Sequence, residues 1–376
     1  MTPTLKLLRE LIALPSVNPG LLPAGDPRAG EQRVAEFLAA TAGAAGLDVD
    51  LREVQPGRCN LFTRLSPAGK VKHRVVLAPH LDTVPPATDE QFDPQVRQGR
   101  VYGRGACDTK GSVAAMFSAV LELARQGARP AHTEIVFIGL VDEETGQAGS
   151  RAVAADGFDA DLAIVGEPTK LRVVTAHKGN VWLKLTTQGK AAHGSRPDLG
   201  RNAILEMARV VTLLETEYAA ELATRRHPLL RCATVNTGTI RGGVQANIVP
   251  AQCSSVIDRR MLPGETGASV RRELKALLRA HGLKAVLGDQ KGAPCPALET
   301  DANLPLVRGF MALAGQAEPV GVDYFCDAAV LAGAGIPSVV FGPGDIAQAH
   351  TADEWLATSQ LERAKTLLVR FLSGLA

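Results

Sequence analysis

The sequence predicts an α/β protein, a doubly wound core with a smaller α+β domain inserted into it. Three observations carry this prediction. Short apolar segments of the buried-strand type alternate with helical patterns in the first half of the chain. Between about residues 179 and 289 the strand patterns become half-polar, and after about 300 the α/β pattern returns. We therefore assign residues 1–178 and 290–376 to a catalytic domain and 179–289 to an insertion.

The first elements follow from the periodicity of apolar residues. Helical periodicity is present at about 3–13 and 29–46, and an extended segment follows near 48–54. The stretch "VVLAPHLDTVPP" (75–86) begins as a buried strand and ends in polar residues and prolines. We expect the first strand of the parallel core to end at His80.

Three further apolar runs extend the core. A Gly-rich turn in "VYGRGACDTKG" precedes a predicted helix at about 111–126. "TEIVFIGLV" (133–141) is a continuous apolar run, typical of a parallel strand that is buried on both faces. "DLAIVGEPT" is a shorter apolar strand that ends at Glu167, and "IPSVVFGPG" (336–344) ends in glycines. This order of strands and helices predicts a doubly wound sheet.

The insertion has a different pattern. "VWLKLTTQG" alternates like a half-exposed strand, and a helix is predicted at about 201–217. Strands are predicted near 232–240 and 252–260, and a helix near 265–281. Two helices with an antiparallel sheet indicate a separate α+β unit.

Composition and charge argue against several classes of partner. The 376 residues carry a net charge of +2 and only 4% aromatic residues, so neither a basic surface nor stacking platforms for nucleic acid are expected. The apolar runs are too short to cross a bilayer, and the first residues lack the apolar centre of a signal peptide. Six cysteines without C-x-x-C spacing fit reduced thiols. We expect a cytoplasmic protein that acts on a small molecule, without a nucleic-acid or membrane partner.

Polar side chains stand where the predicted strands end. Six of them are acids or histidines that can bind a metal ion: His80, Asp108, Glu143, Glu144, Glu167 and His350. The carboxyl ends of the strands in an open α/β sheet share one edge, so we expect these residues to converge there. Such a cluster of acids needs a cation. Carboxylates mixed with imidazoles suit zinc, with cobalt or manganese as alternatives, and a shared carboxylate can bridge two ions about 3.5–4 Å apart.

Each of these residues alone has an ordinary structural explanation. A His-x-Asp pair at a strand end is more often a solvated turn, and paired glutamates often begin a helix. Asp108 can cap the helix after it, Glu167 can simply end a strand, and His350 can be a surface histidine. Only the convergence of all six favours a metal site.

Eight motifs follow one another along nearly the whole chain: "HLDTVP", "GRGACDTKGSVAAM", "DEETGQAGS", "GEPT", "AAHGSRPDLGRNAI", "GGVQANIVP", "DRRMLPGE" and "AHTADEWL". In this order they resemble the metallopeptidase and deacylase family that includes acetylornithine deacetylase, succinyl-diaminopimelate desuccinylase, aminoacylase and the glutamate carboxypeptidases. The resemblance implies a zinc-peptidase-like catalytic domain with two divalent ions, an inserted lid and dimerisation domain, and hydrolysis of a linear amide.

The resemblance also implies a ligand set. His80, Asp108 and Glu167 would hold one ion. The other would be held by Glu144 and His350, with Asp108 as the bridge between the two.

The resemblance makes Glu143 the general base and Asp82 the carboxylate that orients His80. The physical argument agrees, because only one of two adjacent glutamates can comfortably ligate, which leaves its neighbour free to take a proton from water.

Three residues of the insertion match family residues that meet the substrate. His193 matches the histidine that stabilises the tetrahedral oxyanion, and Asn247 matches a polar residue of the substrate pocket. Arg260 matches the arginine that clamps a substrate carboxylate, whereas neighbouring Arg259 is expected to be structural. The resemblance further implies a homodimer formed through the insertion.

The sequence differs from the family pattern at two places. Pro79 stands where the family usually has glycine, and Cys326-Asp327 stands in place of a polar triplet in many members. "GEPTKLRVVTAHKG" and "GPGDIAQAHTADEWL" are most like the deacetylases, which implies removal of an acetyl group from the α-nitrogen of a basic amino acid in arginine biosynthesis. A desuccinylase and a broader N-acyl-amino-acid hydrolase or dipeptidase are alternatives. A binding protein without catalysis is disfavoured because Glu143 is present.

Overall fold

The structure is a computed structural model that describes residues 1–290 and 292–376. The chain forms two compact units. The first unit contains Met1–Thr175, Thr300–Val320 and Cys326–Ala376, and the second contains Ala176–Glu299 and Gly321–Phe325.

The second unit contains more residues than the insertion expected at 179–289. Its additional residues pair within it: Cys295 bridges Asn180, and Leu298 pairs with His177. The assignment of this unit as a lid and dimerisation domain stays a prediction.

The helices and strands are numbered in chain order. The helices are α1 (Pro3–Ile12), α2 (Gln32–Ala44), α3 (Lys110–Gln126), α4 (Ala148–Ala155), α5 (Ala203–Leu213), α6 (Ala219–Thr224), α7 (Gly267–Ala280), α8 (Pro305–Leu313), α9 (Ala328–Gly333) and α10 (Thr358–Ser373). The strands are β1 (Asp48–Gln55), β2 (Arg58–Leu65), β3 (His73–Pro79), β4 (Gln95–Arg97), β5 (Arg100–Tyr102), β6 (Thr133–Gly139), β7 (Leu162–Gly166), β8 (Val174–His177), β9 (Gly179–Gln188), β10 (Arg226–His227), β11 (Arg231–Cys232), β12 (Thr234–Gly242), β13 (Gln252–Met261), β14 (Ala285–Asp289), β15 (Leu298–Glu299), β16 (Val320–Val322), β17 (Ser338–Val340) and β18 (Trp355–Ala357).

The first unit is built on a mixed sheet with strand order β1-β2-β6-β3-β7-β17. The four strands from β6 to β17 are parallel, whereas β1 and β2 form an antiparallel edge. All seven residues of β6 are buried, as its continuous apolar sequence predicts. The parallel strands therefore end at one edge.

Both faces of this sheet are covered by helices. One face, which includes Leu77 and Phe137, belongs to a core shared with α1, α3, α8 and α10. The other face contacts α9, which also packs on α4. Burying a side chain such as Phe137 contributes about 1.5–3 kcal/mol, so the two apolar layers fix the positions of the strand ends. This is the doubly wound arrangement expected from the sequence.

The second unit contains a four-stranded antiparallel sheet with order β12-β13-β9-β14. From Val181 onward, residues of β9 alternate between buried and more exposed positions, in agreement with the half-exposed pattern of "VWLKLTTQG". The helix predicted at 201–217 is present and continues further, because α5 passes through a π-helical turn into α6, which ends at Thr224. An α+β unit is thus present.

No helix in the described ranges is both long and apolar enough to cross a membrane.

Candidate metal centre

Five candidate ligands lie at the carboxyl edge of the parallel strands. His80 follows β3, and Glu167 follows the adjacent parallel strand β7. Glu144 lies in the turn after β6, the parallel neighbour of β3 on its other side. Asp108 comes from the loop before α3, and His350 from a loop after β17. The structure brings these five side chains, widely separated in sequence, to one place.

The side chains form two groups of three that share Asp108. In each group the possible ligand atoms lie within 4.8 Å of one another. His80 Nε2 is 3.2 Å from Asp108 Oδ1 and 3.7 Å from Glu167 Oε1. His350 Nε2 is 3.3 Å from Asp108 Oδ2 and 3.3 Å from Glu144 Oε2. Each imidazole thus faces a different oxygen of Asp108, as a bridging carboxylate requires.

The buried carboxylates fit a bound cation. Burial raises the pKa of the Glu167 carboxyl, and the nearby Asp108 carboxylate raises it further. Burial also raises the pKa of Glu144, although a hydrogen bond from His350 opposes this shift. Glu144 Oε1 is buried and has no hydrogen-bond partner among the described residues. Divalent ions would supply both the positive charge and the missing partner.

Asp82 contacts both the first histidine and the paired glutamates. Its Oδ1 lies 3.3 Å from His80 Nδ1 and accepts a hydrogen bond from the backbone N–H of Glu143 at 3.1 Å. Its Oδ2 accepts one from the backbone N–H of Glu144 at 3.1 Å and one from Asn18 Nδ2 at 2.7 Å. A carboxylate that holds the second nitrogen of a ligating histidine fixes the orientation of the ring. His80 Nδ1 also lies 3.0 Å from the backbone carbonyl of Asp82, and the orienting role of this carboxylate stays a prediction.

Glu143 lies outside both groups of donors identified among the described residues. Burial raises the pKa of its carboxyl well above the usual value, the carboxylates of Asp327 and Glu144 add to the shift, and His80 opposes it. A buried carboxyl with a raised pKa is a stronger base than an exposed one. The two adjacent glutamates therefore occupy different environments.

The turn that carries the glutamates is held by a buried network that the sequence did not predict. Asp142, with φ of 72°, precedes the pair, and its Oδ1 accepts hydrogen bonds from Arg58, Asn18 and Thr145 at 2.9, 3.1 and 2.7 Å. Arg58 also pairs with buried Glu31. The members lie up to 127 residues apart, so no local pattern in the sequence indicates them.

His193, Asn247 and Arg260 lie in the second unit, whereas all five candidate ligands lie in the first. His193 is exposed, and its Nδ1 lies 2.7 Å from Ser195 Oγ. Gly194 N donates to the carbonyl of Asn247 at 2.7 Å, so the loops of His193 and Asn247 are adjacent.

Arg260 lies on β13, where it forms an ion pair with Asp258 at 2.8 Å and its guanidinium stands 5.3 Å from the ring centroid of Phe325. Arg259 points to the other side, fully buried against Tyr218 and Glu265. This position agrees with the structural role expected for Arg259.

The two departures from the family pattern lie in buried surroundings. Pro79 is the last residue of β3 and pairs with Gly166 of β7. Cys326 and Asp327 are buried, and Asp327 accepts a hydrogen bond from Ser150 Oγ at 2.5 Å. Both departures are thus accommodated within the first unit.

The doubly wound sheet and the paired donor groups at its edge define a metal-dependent hydrolase. The chain belongs to Peptidase family M20/M25/M40, whose model matches residues 76–374. This finding confirms the family resemblance and the fold class inferred from the sequence motifs.

Two curated relatives match over nearly their whole length. The chain is 32% identical to an acetylornithine deacetylase of Edwardsiella ictaluri, covering 97% of this chain and 96% of the relative. It is 33% identical to an acetylornithine deacetylase of Vibrio vulnificus, covering 94% and 93%.

Solved structures of this family share the fold. The aminopeptidase PepT of Bacillus cereus matches with a TM-score of 0.79 at 21% identity, covering 98% of this chain and 97% of that one. A metallo-carboxypeptidase of the M20 family from Sulfolobus solfataricus matches with 0.78 at 19% identity, covering 99% of both chains. The YXEP protein of Bacillus subtilis, described as a dinuclear metal-binding peptidase, matches with 0.71 at 14% identity, covering 98% and 96%.

Proposed function

We propose that the protein is an amidohydrolase that removes the acetyl group from the α-nitrogen of a basic amino acid, with acetylornithine as the first substrate to test. The observation that carries the hydrolytic chemistry is the pair of donor groups sharing Asp108, with Glu143 beside them. The choice of substrate is supported by the name of the two full-length relatives. The scattered cysteines support a cytoplasmic location.

His80, Asp108 and Glu167 are proposed to hold one divalent ion, and Glu144 and His350 to hold the other with Asp108 as bridge. The mixture of imidazole nitrogens and carboxylate oxygens favours zinc, with cobalt or manganese as alternatives. When bound, two such ions lower the pKa of a water molecule and polarise the amide carbonyl.

Glu143 is proposed to move the proton. Its carboxylate takes a proton from the attacking water and then gives it to the nitrogen of the leaving amine, so that the amide C–N bond breaks as acetate and free amine form. Its buried position supports this role, because burial raises the pKa of the carboxyl well above its usual value and so makes the carboxylate a stronger base. Asp82 would keep both His80 and the backbone of Glu143 in position.

The second unit is proposed to contact the substrate. Arg260 would bind the α-carboxylate through its guanidinium, His193 would stabilise the oxyanion, and Asn247 would line the pocket. A homodimer formed through this unit is also proposed, since it would allow one chain to supply His193 to its partner.

The test is a comparison of substrates for the zinc-loaded protein. Nα-acetylornithine should be hydrolysed with higher kcat/KM than N-succinyl-diaminopimelate or a dipeptide, and a chelator should abolish the reaction until zinc is restored. A preference for the succinyl compound or the dipeptide would support the corresponding alternative. Two bound ions without hydrolysis of any of these compounds would identify a binding protein instead.

A further inference from the structure

The carboxylate of Glu354 is fully surrounded by donors from the loop that carries Asp108. Its Oε1 accepts the backbone N–H groups of Cys107 at 2.8 Å and Asp108 at 2.9 Å. Its Oε2 accepts the backbone N–H of Gly105 at 2.9 Å and Nη1 of Arg104 at 2.7 Å. A carboxylate offers about four acceptor positions, so all of them are used.

Arg104 also contacts the loop that carries His350. Its Nη2 donates to the carbonyl of Thr351 at 3.1 Å, and Thr351 directly follows His350. The side chains of Arg104 and Glu354 are 3% and 0% exposed, so the pair is a built-in part of the fold. In addition, the backbone N–H of Gly103 donates to the carbonyl of Glu354 at 3.1 Å.

We infer that Arg104 and Glu354 are positioning residues that join the Asp108 loop to the His350 loop and so set the geometry of the second donor group. Two of the three donors in that group, Asp108 and His350, come from segments that the pair holds. In the other group only Asp108 does. The inference rests on the proposed function, because it assumes that these groups bind ions.

The substitution Glu354→Gln tests the acceptors without changing the volume. The amide group of glutamine has one oxygen and one N–H₂ group in place of two carboxylate oxygens. The N–H₂ group would face two N–H donors of the protein, and these two buried donors would lose their acceptor. The loop would relax and move Asp108 relative to His350. Changes in groups that orient metal ligands typically weaken metal binding about 10–100-fold.

The experiment is a competition titration of the metal-free protein with zinc in the presence of a chromophoric chelator. The unaltered protein is expected to bind two zinc ions. Glu354→Gln should weaken the binding of one ion by about 10–100-fold and the binding of the other by less. Arg104→Lys, which keeps the charge but loses the link to Thr351, should show an intermediate loss. At saturating zinc the activity of both variants should return, which distinguishes positioning from a direct role in the reaction.

The partly buried ion pair of Arg74 and Glu134 provides the control. These side chains pair at 2.6 Å at the start of β3 and β6, the opposite end of the strands from the ligands. Glu134→Gln should therefore leave both zinc affinities unchanged.

If Glu134→Gln and Glu354→Gln weakened zinc binding equally, the effect would be a general one on the fold, and the inference would be overturned. Unchanged zinc affinities in Glu354→Gln would overturn it while leaving the proposed function intact. If Glu354→Gln does not fold, Arg104→Lys decides alone, and unchanged affinities there contradict the inference. Failure of the unaltered protein to bind two ions would defeat both the inference and the proposed function.

Discussion

The two units of the molecule hold their candidate residues in different ways. In the first unit His80, Asp82 and Glu167 are buried, although the His350 side chain is 54% exposed. Asp82 contacts the side chains of His80 and Asn18 and accepts hydrogen bonds from two backbone N–H groups. In the second unit His193 is exposed, and its Nδ1 lies 2.7 Å from Ser195 Oγ in the same loop.

This difference suits a division of roles, in which the first unit holds the metal ligands and the second binds the substrate. Ligands that are fixed by packing and hydrogen bonds can keep the spacing that a pair of ions demands before any substrate arrives. Exposed residues on loops are free to meet a substrate, and they vary more easily among related proteins. We therefore expect substitutions in the first unit to affect metal and rate, and substitutions in the second to affect substrate binding and the oxyanion.

The largest effect is expected at Glu143. Glu143→Gln removes the group that exchanges protons and keeps its volume, so kcat should fall by about 10²–10⁴-fold. Steady-state kinetics with acetylornithine measure this loss, and Glu134→Gln is the control for removing a buried carboxylate far from the ligands. A kcat within a factor of about three of the original would show that another group acts as the base.

The next largest effect is expected at His193. His193→Ala removes a donor to the oxyanion and should lower kcat by about 10²–10³-fold, whereas His281→Ala, also at an exposed histidine, should not. Subunit mixing with Glu143→Ala then tests whether the histidine acts within one chain or across a dimer.

In a mixed dimer with a crossed arrangement, the His193→Ala chain keeps its own Glu143 and receives His193 from the partner. One site is then complete, and activity should return after subunit exchange. Proven exchange without any recovered activity would rule out the crossed arrangement.

A smaller effect is expected at Arg260. Arg260→Lys keeps the charge but loses the planar pair of donors, so KM for acetylornithine should rise about 10–100-fold with little change in kcat. The exposed Arg241 on β12 gives a control for the same substitution. Amide derivatives without the α-carboxylate should already be poor substrates of the unaltered protein, and equal hydrolysis of acid and amide would eliminate the clamp.

The smallest effect concerns stability rather than rate. Burial lowers the pKa of His177 in the second unit to about 4. As the pH falls, this histidine is therefore protonated in the unfolded chain near its ordinary pKa of about 6.5, but in the folded chain only at lower pH. Stability should therefore fall as the pH falls between these values, by about 1 kcal/mol from about pH 6.5 to about pH 5.5.

Chemical unfolding at several pH values measures this dependence. It should be smaller in His177→Gln, while His281→Gln controls for the loss of one histidine. The same slope in His177→Gln and the original protein would show that other groups cause the dependence.

Some features of the fold could be predicted because their cause is local. The apolar run of β6 and the polar residues after β3 and β7 are visible in the sequence, and the strand-end rule brings them together. β2 was not predicted, because Asn60 and Arg64 interrupt its apolar residues. The run at 336–344 gave only the three-residue strand β17, since its glycines turn the chain away.

The residues that support the site could not be predicted. Glu354 meets the Asp108 loop across 246 residues, and Arg58 meets Glu31 across 27. A charged residue in an isolated sequence indicates a solvated surface, and only the folded chain shows that its partner is buried beside it.

The most direct test of the account is the number of metal ions that each of two adjacent variants retains. Glu143→Gln and Glu144→Gln alter neighbouring residues of one turn by the same chemical change. Elemental analysis of the zinc-loaded proteins after gel filtration should find two ions per chain in Glu143→Gln, as in the unaltered protein, and fewer in Glu144→Gln, because only Glu144 belongs to a donor group. Loss of zinc from Glu143→Gln as large as from Glu144→Gln would contradict the division of the pair into a proton carrier and a ligand.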